Sequence, residues 1–438
     1  MSDDFPSSKF ERGKIFAKTG LKLGTNYAKR YLKRTAGNGG DRGERSRFHT
    51  ENARQVFDQF TKLRGTALKI AQSMSMDQGL LPAEFTEVMG EAQYSVPPIN
   101  KALTRTIIKK ELGRYPEELF DSFSTEAYAA ASIGQVHRAK LRDGREVAVK
   151  IQYPGVRDTI QSDLGLAKML FGRMIKRSAD LDEYFDEVES TLMEETDYGA
   201  EGRYIEHFRR QFSNGRYLMP EWIEDHSTDK VLTMTFIEGT HLKEFLKADP
   251  SLEKRNHFGQ LLWDFFHKQV QQGDLFHADT HPGNFLFTEE GALGVIDFGC
   301  VKSFPPDFTR KYLQLLPIHI EGDEESIREL YRELDIVRSD PSDADKENRF
   351  FRFCRNYGNA FAEPYRTETF HFGDPAYREK LNRFAKQPPI LNEPRGSRHF
   401  LYSARMHLGL YSLLMKLGAK VNTRNSREIV YDTLNRWG

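Results

Sequence analysis

Three polar side chains in the second half of the chain have the types and spacing that phosphoryl transfer needs. Asp279 lies five residues before Asn284 in the segment His-Ala-Asp-Thr-His-Pro-Gly-Asn, and Asp297 follows Asn284 by thirteen residues and begins Asp-Phe-Gly. One carboxylate can orient or deprotonate a nucleophile. An amide oxygen and a second carboxylate can hold Mg²⁺ on phosphates, because this ion prefers oxygen ligands in octahedral geometry. The ordered two-part pattern is far more specific than the tripeptide alone.

The same spacing separates the catalytic loop from Asp-Phe-Gly in protein kinases. It predicts Asp279 as the catalytic Asp and Asn284 and Asp297 as Mg²⁺ ligands. His277 is expected to buttress the loop, and His281 stands where many protein kinases have Lys. A zinc site built from His277, Asp279 and His281 is the alternative chemistry. It is disfavoured, because no Cys or further His lies at ligand spacing and Asp-Phe-Gly would be unexplained.

Lys150 ends the β-prone run Val-Ala-Val-Lys, which is typical of the kinase strand whose lysine pairs the α- and β-phosphates. Asp143-Gly144, between this run and the β-prone residues 132–139, predicts a hairpin turn. Such a lysine needs a carboxylate from a following helix. Spacing alone does not choose among the candidates, which are Glu194, Glu195, Asp197, Glu201 and Glu206.

The segment that would cover the phosphates is rich in alanine. A kinase uses Gly-x-Gly-x-x-Gly there, so that backbone N–H groups can approach the phosphates closely. Residues 129–134 read Ala-Ala-Ala-Ser-Ile-Gly. Because the alanine Cβ resists positive φ, this loop is predicted to wrap a triphosphate less well. Either the nucleotide is held differently or the transfer activity is restrained.

Composition narrows the class of protein further. Lys plus Arg and Asp plus Glu both number 64 in 438 residues, so zero net charge gives no overall attraction to nucleic acid. With 29% charged residues and no run of eighteen apolar residues, we expect a soluble chain with no membrane-spanning helix. Two cysteines, Cys300 and Cys354, indicate a reducing compartment. The N-terminus lacks an apolar signal core. We therefore expect a cytoplasmic protein.

The N-terminal region carries two helical patterns. Residues 9–34 are basic with interleaved aromatic and aliphatic residues, which fits either an amphipathic helix on an anionic membrane or a solvated helix packed on the protein. A Gly-, Arg- and Asp-rich linker follows at residues 35–45. In the second pattern, residues 57–81, Lys69 and Gln72 fall on a polar side that periodicity alone assigns to solvent.

Taken together, these motifs resemble the UbiB family, the ADCK-type atypical kinases, from about residue 57 to residue 299. Residues 129–137 resemble its alanine-rich loop, and residues 147–156 (VAVKIQYPGV) resemble its lysine strand. Residues 195–201 (ETDYGAE) resemble its E-x-D motif followed by the ion-pair Glu.

The resemblance implies roles for individual residues. It selects Glu201 as the partner of Lys150, and Glu195 and Asp197 as the E-x-D acids. A family K-x-G-Q motif corresponds to residues 69–72, with Ala71 in place of glycine, which implies that Lys69 and Gln72 face the active site. The nucleotide-binding residues it implies are Ala129, Ala130, Ala131, Ser132, Ile133, Gly134, Val136, Ala148 and Lys150.

The resemblance also implies the architecture. The expected fold is α+β, a protein-kinase-like bilobal fold with a helical N-terminal extension and a mostly helical C-terminal lobe. The predicted divisions are a basic segment and linker at 1–45, a helical family-specific extension at 46–125, an N-lobe at 126–240 and a C-lobe at 241–438.

The function implied is ATP binding with Mg²⁺ and an atypical kinase or ATPase activity that supports ubiquinone or other isoprenoid quinone or lipid metabolism. Ordinary protein phosphorylation is disfavoured, because the extension would obstruct a peptide substrate. The partners implied are an isoprenoid lipid or the inner membrane surface, bound peripherally, and quinone-biosynthesis proteins, with no nucleic acid. A small-molecule phosphotransferase and a non-enzymatic, nucleotide-gated lipid-binding scaffold are the two alternatives.

Overall fold

A computed structural model describes residues 50–58, 98–131, 133–171, 181–212, 214–386, 395–397 and 399–437, together with positions 25, 66, 67, 70 and 88. The N-terminal basic segment, Lys69, Gln72 and Ser132 lie outside the described residues, so the predictions for them stay predictions. Among the helices that are described, none is long and apolar enough to cross a membrane. The chain divides into two compact units, residues 1–203 with 221–236 and residues 204–220 with 237–438.

The first unit is built on an antiparallel five-stranded sheet with the order β1-β3-β4-β6, in which β2 also pairs with β3. Its strands are β1 (Ser122–Phe123), β2 (Ala129–Ala131), β3 (Gly134–Lys140), β4 (Glu146–Gln152) and β6 (Val231–Thr235). Residues 50–58 of this unit are helical, and the described helices that follow are α1 (Lys101–Leu112), α2 (Pro116–Leu119), α3 (Val156–Phe171), α4 (Leu181–Glu195) and the start of α5 (Tyr198–Gln211). The predicted turn between β3 and β4 is confirmed, with Gly144 at φ +93°.

Alternation along β4 separates a core face of the sheet from a second face. Val147, Val149 and Ile151 pack in one cluster with Val231 of β6 and Ile108 of α1. Lys150 lies between Val149 and Ile151 in sequence, so its side chain projects from the opposite face. The core therefore fixes the register that presents the lysine.

The acidic, helix-forming stretch at residues 181–211 contains two helices. α4 ends at Glu195 and α5 begins at Tyr198. Asp197 caps α5, because its Oδ1 accepts a hydrogen bond from the Ala200 backbone N–H at 2.8 Å. Periodicity does not show this break, since the helical pattern runs through it.

The described part of the second unit is mostly helical, as predicted, and contains three small sheets. Its helices are the end of α5, α6 (Leu242–Lys247), α7 (Leu252–Gln272), α8 (Pro306–Glu321), α9 (Glu324–Glu333), α10 (Ala344–Ala362), α11 (Pro375–Lys386), α12 (His399–Leu417) and α13 (Arg424–Trp437). Its strands are β5 (Tyr217–Leu218), β7 (Phe276–His277), β8 (Phe285–Phe287), β9 (Leu293–Val295), β10 (Val301–Lys302), β11 (Thr369–His371) and β12 (Lys420–Asn422).

Helix α7 is central to the second unit. It packs against α12, α13 and β12. Its Trp263 is fully buried and donates its indole N–H to the Ser426 hydroxyl of α13. Helix α7 also contacts β7, and its Gln269 side chain accepts a hydrogen bond from the His277 N–H, so it supports the strand that leads into the predicted catalytic residues.

Candidate active site

Lys150 and Glu201 form a buried ion pair in the first unit. The Lys150 Nζ lies 2.9 Å from both Glu201 carboxylate oxygens, and the two side chains are 8% and 2% exposed. Burying either charge alone would cost several kcal/mol, so the close contact between the two side chains is needed to offset their desolvation. The ring of Tyr198 also lies 5.0 Å from Nζ. The structure thus brings together the two residues that the family resemblance paired.

Local structure explains why Glu201 stands opposite Lys150. The cap at Asp197 starts α5, and Glu201 falls in the first turn, where a negative charge is favourable. The start of this helix is tied to the sheet, because Gln152 donates its side-chain amide to the Thr196 carbonyl at 3.0 Å. Asp197 therefore caps a helix in this structure. Its role in the E-x-D motif stays a prediction.

The alanine-rich segment, which was expected to cover the phosphates, begins as a strand in a region that the sequence predicts to be rich in strands. Ala129–Ala131 form strand β2, which pairs with β3 so that Ala129 lies opposite Val136 and Ala131 opposite Gly134. Extended backbone needs no positive φ, so alanine is tolerated there. Among the described non-glycine residues, positive φ occurs only at Asp249 and Asp335.

Cross-strand register sorts the predicted nucleotide-binding residues by face. Val136 lies opposite Lys150, and residues directly opposite in an antiparallel pair share a face. Ala129, opposite Val136, therefore shares the lysine face, as does Ala148, two residues before Lys150. Ala130 alternates to the other face, so the structure does not group its side chain with the lysine.

Packing against neighbouring residues requires a glycine at position 134 and buries the side chain of Ile133. A Cβ on Gly134 would lie 2.3 Å from the Ile151 carbonyl oxygen and 2.9 Å from the Tyr198 hydroxyl. Ile133 is 2% exposed. Both residues hold the β2–β3 turn against its neighbours, which limits any nucleotide contact to their backbone.

In the second unit, two strand pairs bring the catalytic loop and Asp-Phe-Gly together. β7 pairs with β10, and β8 pairs with β9. The loop at residues 278–284 connects β7 to β8 and the loop at residues 296–300 connects β9 to β10, so the two loops lie side by side. The Ala278 N–H donates to the Cys300 carbonyl at 2.9 Å, and the Ile296 N–H donates to the Asn284 carbonyl at 3.1 Å. The sequence pattern predicted this neighbourhood.

Individual hydrogen bonds then orient the site. The Asn284 side-chain amide donates to the Asp279 carbonyl at 3.0 Å, which leaves Asn284 Oδ1 as an acceptor. The Asp297 Oδ1 accepts from the Gly299 N–H at 3.0 Å. His277 Nε2 lies 2.7 Å from the Asp297 carbonyl oxygen and donates to it, so His277 buttresses the loop as predicted.

The oxygen donors fit Mg²⁺ better than zinc. Asn284 and Asp297 offer one amide oxygen and one carboxylate, and Mg²⁺ typically takes one or two carboxylates and completes its shell with phosphate and water oxygens. The zinc alternative has little support, because His277 Nε2 is bonded to a carbonyl and His281 Nδ1 accepts from the Gly283 N–H. Within the described part of the chain, no group of three or more His, Cys, Asp or Glu side chains could hold a metal ion.

Arg405 of α12 is a site residue that sequence reasoning missed. Its guanidinium Nη2 lies 3.5 Å from Asp279 Oδ1, and the two side chains are 25% and 18% exposed. The Thr280 hydroxyl donates to the Arg405 carbonyl at 3.4 Å. Helix α12 fits this closely because Gly409 lacks a side chain, since a Cβ there would overlap the Thr280 hydroxyl oxygen.

No local signal could have found Arg405, because 126 residues separate it from Asp279 in the chain. The fold supplies a cation beside Asp279, the predicted catalytic Asp, from a distant helix. Protein kinases often carry a lysine two residues after that Asp, where this chain has His281.

Comparisons with known proteins identify the family. The model of the ABC1 atypical kinase-like domain matches residues 91–331, which is more than half of the chain. The chain belongs to this family. The predicted relationship to UbiB and ADCK-type atypical kinases is thereby confirmed, and with it the α+β, kinase-like fold. Arg405 lies beyond the matched residues.

Three relatives show the extent of the similarity. Atypical kinase COQ8, mitochondrial, of Saccharomyces cerevisiae is 28% identical over 96% of this chain and 84% of its own length. Probable protein kinase UbiB of Marinobacter nauticus is 31% identical over 64% of this chain and 54% of its own length. The solved structure of Rv3197 of Mycobacterium tuberculosis in complex with erythromycin superposes with a TM-score of 0.60 at 27% identity, covering 86% of this chain and 95% of that one.

Proposed function

We propose that this protein is an Mg²⁺-ATP-dependent atypical kinase or ATPase that supports ubiquinone or other isoprenoid quinone or lipid metabolism. The observation that carries the proposal is the hydrogen-bonded arrangement of Asp279, Asn284 and Asp297. Family membership and the names of the relatives support it. Lys150, held by Glu201, would bind the nucleotide phosphates, and Asn284 and Asp297 would hold Mg²⁺.

Bound Mg²⁺ would neutralise charge on the phosphates. Residues of the chain would supply the general base and the other positive charge. Asp279 orients a water molecule or another acceptor and takes its proton. The Asn284 side chain donates to the Asp279 carbonyl and so fixes the loop that carries this carboxylate. Arg405 would position Asp279 and add positive charge where negative charge develops on the transferred phosphoryl group.

Peripheral association with a membrane or an isoprenoid lipid belongs to the same proposal. It rests on the basic residues 9–34 and on the family resemblance. A phosphate-release assay with and without liposomes rich in anionic lipid tests it. Liposome stimulation of the wild type, absent when Lys14, Lys18 and Lys22 are changed to Gln, would support the membrane role. Equal rates for the wild type and the triple variant, each with and without liposomes, would contradict the membrane role.

The product of the reaction separates the main proposal from its alternatives. An ATPase releases inorganic phosphate, whereas a small-molecule phosphotransferase leaves the γ-phosphoryl group on an acceptor, which ³¹P NMR distinguishes. For a nucleotide-gated scaffold, Asp279→Asn would not change the residual turnover. We expect inorganic phosphate as the product and a turnover that Asp279→Asn lowers by roughly a hundredfold or more.

A further inference from the structure

A cavity of about 270 Å³ lies inside the second unit, lined by residues of α7, α8, α10 and α12, and it is partly open to solvent. Neither Asp279, Asn284 nor Asp297 lines it, so it is distinct from the candidate active site. Among the described residues that form its wall, none is Asp, Glu, Lys or Arg. Its wall combines aliphatic residues with many aromatic ones, among them Phe266, Phe276, Phe304, Phe308, Phe361 and Tyr411.

Size and wall chemistry restrict what the cavity can hold. An apolar cavity of about 150 Å³ accepts benzene, so one of this volume accepts a one- or two-ring molecule. Aromatic walls favour a ring, through stacked and edge-to-face contacts. A charged ligand would lose its hydration without gaining an ionic partner.

Most polar groups of the wall already bond to one another. The Tyr331 hydroxyl lies 2.9 Å from His319 Nε2 and donates to the Cys354 carbonyl at 3.0 Å. The Tyr365 hydroxyl lies 2.7 Å from His267 Nε2. These pairs are satisfied within the protein, so they close the wall without attracting a ligand.

His407 differs from these groups. Its Nδ1 lies 2.7 Å from the Tyr312 hydroxyl oxygen and 3.1 Å from the Ser403 carbonyl oxygen. Its Nε2 has no hydrogen-bond partner among the described residues. Burial lowers the pKa of His407 to about 4, so the imidazole is neutral at pH 7 and Nε2 offers one hydrogen bond to a ligand.

We propose that this cavity binds a neutral one- or two-ring aromatic alcohol, whose ring packs on the aromatic wall and whose hydroxyl bonds to His407 Nε2. The observations that carry the proposal are the cavity volume, the uncharged aromatic wall and the single ring nitrogen left open. It does not depend on the proposed function, because binding can be measured without nucleotide.

Calorimetric titration of the full chain with 1-naphthol, naphthalene and 1-naphthoate tests the proposal. We expect 1-naphthol to bind with a stoichiometry of one and to raise the melting temperature. Naphthoate should bind at least about tenfold more weakly, because its charge has no partner in the cavity. No binding of 1-naphthol up to roughly 1 mM, or equal affinity for naphthol and naphthoate, would overturn the proposal.

Two variants locate the site. His407→Asn keeps a polar atom near the position of Nδ1 but has none at Nε2. It should weaken 1-naphthol binding by about fivefold to tenfold and leave naphthalene binding unchanged. Ala404→Phe, which fills the cavity, should abolish binding of both probes while circular dichroism shows the native fold. If Ala404→Phe does not fold, His407→Asn decides alone, and unchanged naphthol affinity in it would refute the assignment.

Discussion

At the scale of single residues, the burial of charge explains why Lys150 pairs with Glu201, whereas sequence spacing does not. The Lys150–Glu201 pair is almost fully removed from water, and neither partner could remain ionised there without the other. Spacing left five acidic residues as candidates, because it does not show which helix face meets β4. The family resemblance selected Glu201, and the two 2.9 Å contacts confirm the pairing.

Breaking this pair should be strongly destabilising. Lys150→Met leaves a buried carboxylate without a partner, so we expect a loss of about 3–5 kcal/mol in the free energy of unfolding. The double variant Lys150→Met with Glu201→Gln removes both charges and should recover at least about 1 kcal/mol relative to the sum of the single effects. Urea denaturation of the four proteins gives the comparison. Strict additivity would show that the two side chains do not interact.

Arg405 allows a test of positive charge beside Asp279, the proposed catalytic Asp. Arg405→Ala should lower kcat for ATP turnover by about tenfold or more with little change in KM, because the charge acts on the developing transition state. Arg405→Lys should restore part of the rate. Arg383→Ala is a matched control, since Arg383 is an exposed arginine of α11 that pairs with Glu379 in a surface contact. A rise in KM with unchanged kcat would assign Arg405 to ground-state binding instead.

At the scale of elements, the sequence predicted strands and turns well and predicted faces and breaks poorly. The β3–β4 hairpin follows from β-prone runs around Asp143-Gly144, a local signal. The break between α4 and α5 is not visible in the helical periodicity, and in the structure it is marked by the Asp197 cap and by the bond from Gln152 of the sheet to the Thr196 carbonyl. The contact of α12 with the catalytic loop is likewise a product of tertiary packing.

The β3–β4 contact depends on one glycine. In Gly134→Ala the new Cβ would lie 2.3 Å from a backbone oxygen of β4, so the strands must separate. We expect a loss of about 2 kcal/mol or more in unfolding free energy. Gly165→Ala is the control in α3, where a Cβ would meet no atom within 4 Å and should add about 0.5–1 kcal/mol of stability. Equal effects of the two changes would contradict the packing argument.

At the scale of the whole molecule, buried neutral histidines predict acid sensitivity. Burial lowers the pKa of His267 to about 3 and that of His407 to about 4, below the ordinary value of 6.5. The unfolded chain therefore binds more protons than the folded one as pH falls below 6.5. Stability should be full above that pH and decline toward pH 4, by up to about 1.4 kcal/mol per pH unit for each histidine.

Chemical denaturation at pH 7, 6 and 5 checks this decline. His407→Asn should reduce the slope of unfolding free energy against pH by the contribution of one group. Stability that rises on acidification from pH 7 to pH 5 would contradict the sign of the effect.

The family and the kinase-like fold could be predicted because the motifs are local and ordered along the chain, whereas the cavity and the position of Arg405 depend on helices far apart in sequence. The central claim remains that Asp297, with Asn284, holds Mg²⁺ for ATP turnover. Its most direct test is Mg²⁺-dependent phosphate release by wild type, Asp297→Asn and Asp345→Asn, the last at an exposed position of α10. We predict that Asp297→Asn lowers the rate by about a hundredfold and Asp345→Asn leaves it unchanged. A wild-type rate in Asp297→Asn would contradict the account.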